Sequence, residues 1–100
     1  MPSLPWKLRI PDSVAALIAG MHPQLKRKVR AGLEEISSDP YCGKALREEL
    51  KGLMTFRVST FRIVYRIETN KIIEIITIGP RKSIYEATYR LVKKDALNEE

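Results

Sequence analysis

Met54-Thr-Phe-Arg-Val-Ser-Thr-Phe-Arg-Ile-Val-Tyr-Arg-Ile67 is the stretch that decides the fold. Met54, Phe56 and Val58 alternate with Thr55 and Arg57, and Phe61, Ile63, Tyr65 and Ile67 alternate with Arg62, Val64 and Arg66. Successive residues of a strand face opposite sides, so this alternation predicts two strands. Ser59-Thr60 remains as the hairpin turn, without the Gly or Asn that usually marks one. Thr69-Asn70 predicts a second turn, and Lys71-Ile-Ile-Glu-Ile-Ile-Thr-Ile78, apolar on both faces, predicts an interior strand covered on each side.

The flanks read as helices. Trp6-Lys-Leu-Arg-Ile10 alternates and is stopped by Pro11, which predicts one more strand. Asp12 or Ser13 then caps a short helix with Val14, Leu17, Ile18 and Met21 as its apolar stripe. Pro23 suits the first turn of a second helix, whose stripe is Leu25, Val29, Leu33 and Ile36. Gly32 lies on that side and predicts a close approach of the two helices, while Lys26, Arg27, Lys28 and Arg30 point elsewhere as a solvated face or an auxiliary contact for RNA backbone. Ser37-Ser-Asp-Pro40 ends the helix. Ala45, Leu46, Leu50 and Leu53 predict a further charged helical segment over 44–53, stopped by Gly52. Ile84, Ala87, Thr88, Leu91 and Val92 make the stripe of a terminal helix from Ser83 to Asp95, and Asn98-Glu-Glu100 is expected to fray. The expected fold is α+β: an N-terminal strand, a two-helix hairpin, an antiparallel three-stranded meander and a C-terminal helix.

One hundred residues enclose one core, so 1–100 is expected to be a single domain. With 44% hydrophobic and 30% charged residues the chain reads as soluble and globular, with no membrane span. The first ten residues lack the pattern of a signal peptide, which makes the cytoplasm the expected address. A net charge of +6 points to an anionic partner, although a basic surface also serves solubility alone. With Cys42 as the only cysteine and His22 as the only histidine, the chain offers no internal disulfide, zinc set or Ser-His-Asp arrangement, and no cofactor is expected. His22 reads as a cap or loop residue, and Cys42 as an inert loop thiol.

The chemistry concentrates on arginines. Arg62 and Arg66 project from one face of their strand, and hairpin pairing brings Arg57 beside them. Clustered guanidinium groups repel one another unless an anion lies between them, and their forks match phosphate oxygens. The plainer alternative is a solvated face paired with Glu68, Glu74 or the carboxylates of the C-terminal end. Gly79-Pro-Arg-Lys-Ser-Ile-Tyr85 leaves the interior strand over the sheet, so Arg81 and Tyr85 reach the surface of Arg62. A phenol there either transfers protons, stacks on a base, or packs inward with only its hydroxyl wet.

From Pro40 onward the chain resembles the RelE/ParE superfamily of bacterial type II toxins, and its RelE-like ribonucleases more closely. The resemblance rests on Gly43-Lys-Ala-Leu46 with Leu50-Lys-Gly-Leu53, on Phe56-Arg-Val-Ser-Thr-Phe-Arg-Ile-Val-Tyr65, and on Ile76-Thr-Ile-Gly-Pro-Arg-Lys-Ser-Ile-Tyr85, about half the chain. It implies a metal-independent endoribonuclease that cuts mRNA in the ribosomal decoding site and is silenced by an antitoxin. By the same resemblance Arg57 and Arg62 hold the scissile phosphate, Arg81 neutralises the transition state or protonates the leaving oxygen, and Tyr85 orients or stacks. Lys44, Arg47, Lys51, Arg66 and Lys82 are the expected flanking RNA contacts. Pro80 stands where many relatives carry histidine, and Ser59-Thr60 with Phe61 replaces the Gly-Asp turn and tyrosine common among them. Two other classes fit the same residues: a ParE-like, non-enzymatic inhibitor of DNA gyrase, and a module that only binds nucleic acid.

Overall fold

The computed structural model describes residues 6–98. Its strands are β1 (Lys7–Arg9), β2 (Lys44–Ala45), β3 (Met54–Val58), β4 (Phe61–Ile67) and β5 (Ile72–Pro80), and its helices are α1 (Asp12–Ala19), α2 (Pro23–Ser38) and α3 (Ile84–Asn98). The predicted meander β3-β4-β5 forms the middle of a five-stranded sheet ordered β1-β5-β4-β3-β2. β1 runs parallel to β5, pairing Leu8 with Ile73, and every other pairing is antiparallel. Ser59-Thr60 is the hairpin turn, Ser59 taking the left-handed φ of 55°. The next turn centres one residue later than expected, on Asn70 and Lys71, both at positive φ.

Each face of the sheet has its own core. Val14, Val29, Leu33 and Ile36 from α1 and α2 pack on Val58, Ile63, Tyr65, Ile73, Ile75 and Ile78. On the other face Ile84 and Val92 of α3 cover Val64 and Leu53, with Leu46, Leu50 and Ile76 around them. β5 is therefore covered on both sides, as its unbroken apolar run requires. A register shift between Val64 and Tyr65 leaves Ile76 as an extra residue on β5, which directs it to the α3 side.

Several expectations are corrected. The segment 44–53 is not a helix: Lys44–Ala45 pairs with Thr55 and Met54, and a single 3-10 turn, Glu48–Leu50, follows. Glu48 at φ 57° and Gly52 at φ 96° lie outside helical space, while the leucines reach the core below α3 from an irregular path. Gly32 admits the sheet rather than α1, because a Cβ there would lie 2.9 Å from Val58 Cγ2 and 3.2 Å from Phe56. Leu17 is 49% exposed, so α1 is anchored by Val14 with Ile18 and Met21 at its margin. Pro11 occupies the N-cap of α1 without a side-chain cap bond, and Asp12 sits in the first turn. Ala87 and Leu91 of the predicted α3 stripe are exposed, leaving Ile84, Thr88 and Val92 to hold the helix. His22 does cap α2, its Nδ1 accepting from the Gln24 N–H at 3.2 Å. Of the end expected to fray, Glu99 and Glu100 lie outside the described residues.

The junction between α2 and β2 is fixed by Tyr65. Its buried hydroxyl donates to the Pro40 carbonyl at 2.7 Å. Gly43 crosses so close that a Cβ would collide with that hydroxyl and lie 2.6 Å from the Thr55 carbonyl oxygen. Burial pushes the Tyr65 phenol up to about 12, against about 10 in an unfolded chain. A raised native value means that the unfolded chain loses this proton first, so the contribution is intact below pH 10 and is lost as pH climbs toward 12. The expected loss is about 1.4 kcal/mol per pH unit, roughly 2–3 kcal/mol in total. Urea unfolding between pH 9 and 12 should show this extra slope in the native sequence and not in Tyr65→Phe, which itself loses about 1 kcal/mol at neutral pH with the Pro40 bond.

Candidate nucleic-acid site

Alternation puts Thr55 and Arg57 of β3, and Arg62, Val64 and Arg66 of β4, on the α3 face. α3 covers the middle of this face through Val64 and leaves the hairpin end open. There Arg57 and Arg62 are direct cross-strand partners, and Arg62 also sits opposite Gly79 of β5. Cross-strand partners stand about 4.5–5.5 Å apart at Cβ, so two guanidinium groups are held side by side at the cost of mutual repulsion. The Arg81 N–H donates to the Thr60 carbonyl at 2.9 Å, which pins the exit of β5 to the hairpin tip. Ser83 N–H then bonds the Pro80 carbonyl at 3.1 Å, turning the chain into α3.

Two depressions meet at the Arg57-Arg62 pair. The first, about 640 Å³, is lined by Lys44, Ala45, Leu46, Arg47, Arg62 and Tyr85. The second, about 270 Å³, is lined by Arg57, Ser59, Thr60, Pro80, Arg81 and Lys82. Three cations and a phenol on one side thus join three cations on the other across a single strand pair. The ion pairs found among the described residues are Arg9-Glu68, Arg66-Glu74 and Arg90-Glu86, and none involves this group. Arg62 is half-buried, and its Nε finds no acceptor among the described residues. A buried donor left unpaired costs about 1–3 kcal/mol, and an anion bound in the cleft would offset that cost.

Each sequence-predicted residue has a definite place. Arg62, Tyr85, Lys44 and Arg47 share the larger depression, and Arg57, Arg81 and Lys82 share the smaller one. Tyr85 is 40% exposed at the first turn of α3 and does not pack inward. Arg66 stands apart, bonded to Glu74 Oε1 at 3.4 Å at the far end of the face. Lys51 is exposed beyond the 3-10 turn and lines neither depression. Lys28 of α2 reaches Arg57 from the other face, round the end of β3, in a third depression of about 290 Å³. Ser59, Thr60 and Pro80, read from the sequence as turn residues and departures from the family pattern but not as site residues, line the smaller depression; the register that opposes Phe61 to Pro80 brings the hairpin tip to the β5 exit. Cys42 is set aside as a nucleophile, since burial and then Asp39 and Glu35 push its thiol up.

A basic cleft at one end of a five-stranded sheet, between a hairpin tip and the start of a covering helix, places the molecule in the RelE/ParE class of type II toxins. The chain belongs to the family of the ParE toxin of the type II toxin-antitoxin system parDE, whose family model matches residues 8–85. It is similar to the toxin in the RelBE2 toxin-antitoxin complex of Mycobacterium tuberculosis, with 26% identity over 78% of this chain and 93% of that one and a TM-score of 0.69. An arginine-substituted RelE from E. coli, in the free state, shares the fold with a TM-score of 0.70 at 18% identity, over 91% of this chain and 98% of that one. RelE of the archaeal RelE-RelB complex from Pyrococcus horikoshii superposes with a TM-score of 0.64 at 16% identity, over 78% and 97% of the two chains. No curated protein sequence matches the chain significantly. Among the described residues no helix is long and apolar enough to cross a membrane.

Proposed function

We propose that this toxin is an endoribonuclease that cuts mRNA on the ribosome. The observation that carries the reading is the Arg57-Arg62 pair, flanked by Arg81, with no carboxylate among the described residues bonded to any of the three. The ribose 2′-hydroxyl loses its proton and bonds to the adjacent phosphorus; the bond from phosphorus to the 5′-oxygen breaks, and that oxygen gains a proton. A 2′,3′-cyclic phosphate and a 5′-hydroxyl result. Charge accumulates on the phosphoryl oxygens between these states, and fixed guanidinium groups that already face the site stabilise it without reorganising. Arg57 and Arg62 grip the phosphate, Arg81 faces the developing charge, and Tyr85 orients the neighbouring base. Side-chain cations fill the role a metal ion would otherwise take. Pro80 supplies no acid, and arginine is a poor base near neutrality, so Tyr85 or a ribosomal group moves the protons.

The likeness to toxins in complexes with antitoxins supports a cognate antitoxin for this chain, laying an acidic or amphipathic segment over the same cations in the cytoplasm. The match to the ParE family favours a second reading, inhibition of DNA gyrase without catalysis. Purified toxin added to a translating extract separates the two. New mRNA 5′ ends mapped by primer extension are expected; intact mRNA with trapped gyrase-DNA complexes would move the assignment to the second reading.

A further inference from the structure

The first turn of α3 does not exhaust its aromatic surface. Tyr85 and Tyr89 are 40% and 41% exposed, and the Nζ of Lys93 lies 5.9 Å from the centre of the Tyr89 ring. Residues four apart stand one above the other on a helix, so Tyr85, Tyr89 and Lys93 form one stripe leading away from the cleft. Ile84, Thr88 and Val92 anchor a different stripe, and Arg90 and Glu86 are bonded to each other on a third. The two phenols are thus surplus to the core. Lys93 lies near the Tyr89 ring, which leaves that ring's exposed surface to a flat partner and sets a cation at the end of the stripe, where a phosphate would meet it.

We infer that Tyr89, backed by Lys93, is a second stacking platform, and that single-stranded RNA leaves the cleft along α3 with the base beyond the one at Tyr85 resting on it. The inference rests on the ribonuclease reading of the arginine cleft. The rise between the two phenols is about 6 Å, wider than the roughly 3.4 Å between stacked bases, so the strand is held extended with its bases splayed. A duplex cannot bind in this way. An acidic peptide would be drawn to the cations but would gain little from two consecutive phenols, which distinguishes the occupant as single-stranded nucleic acid.

A short labelled 2′-O-methyl RNA, which cannot be cut, tests the platform by fluorescence anisotropy as a single strand and annealed to its complement. Tyr89→Ala is expected to weaken single-strand binding roughly 5- to 100-fold, with Tyr89→Phe within about twofold of wild type and duplex binding unchanged. Single-strand binding by Tyr89→Ala within about twofold of wild type, or equal weakening of strand and duplex, would overturn the inference, circular dichroism having shown the same fold. Cleavage of native mRNA in a translating extract is measured in parallel. A wild type that binds through Tyr89 without cutting overturns the ribonuclease reading and leaves the platform standing. A Tyr89→Ala variant that binds and cuts like wild type overturns the platform alone.

Discussion

Arg62→Ala is expected to lower mRNA cleavage by roughly 10²- to 10³-fold, the usual effect of removing one preorganised donor from a developing anion. The same substitution should leave the fold at least as stable. Arg62 faces Arg57 directly across the strands, and its Nε is buried without an acceptor among the described residues. Removing it relieves a like-charge opposition worth roughly 0.2–1 kcal/mol and an unmet donor worth about 1–3 kcal/mol, against the loss of packing by its methylenes at about 0.8 kcal/mol for each one buried. Urea unfolding and primer extension on the same preparation give both numbers. A variant that keeps wild-type cleavage would remove Arg62 from the site, and one that unfolds would show its role to be structural.

Gly43→Ala carries the largest expected loss of stability, about 2–3 kcal/mol. The new Cβ would strike the Tyr65 hydroxyl and press on the Thr55 carbonyl, and neither can retreat. Tyr65 is buried and bonded to Pro40, and Thr55 is fixed in its strand. Relief comes from displacing β2, which carries Lys44 and leads to Arg47, so cleavage should fall with stability. Adding Tyr65→Phe removes one of the two obstacles and should restore part of the loss. Urea midpoints of the single and double variants check this, and no recovery in the double variant would mean that the Thr55 carbonyl alone sets the limit.

The parts of the fold that follow from local periodicity were legible in the sequence. Alternation from Met54 to Ile67 fixed the hairpin, the two-faced apolar run fixed β5, and the stripe through Val29, Leu33 and Ile36 fixed the buried side of α2. The segment 44–53 misled because Leu46, Leu50 and Leu53 have helical spacing, yet a short strand followed by a 3-10 turn delivers the same three side chains to the α3 core. What overrides the helix there is tertiary: Gly43 threads past Tyr65, and β2 is held by β3. The place of β1 beside β5 is likewise a nonlocal parallel pairing that no local pattern announces.

Arginine placement shows the same division. Alternation gave the shared face of Arg57, Arg62 and Arg66, but what each meets depends on register. Arg66 falls opposite Glu74 beyond the bulge and is paired, whereas Arg62 falls opposite Gly79, which has no side chain to answer it. The face that looked uniform is thus divided into a neutralised end and a cationic one.

The end groups of the cut RNA test the central claim most directly. Messenger RNA recovered from a translating extract treated with the toxin, its fragments mapped and their termini read by mass spectrometry, should carry a 2′,3′-cyclic phosphate on one side of each break and a 5′-hydroxyl on the other, with both lost in Arg62→Ala. Fragments ending in a 3′-hydroxyl and a 5′-phosphate, or messages left whole while growth still stops, would contradict a phosphate held between Arg57 and Arg62 and attacked by its own ribose.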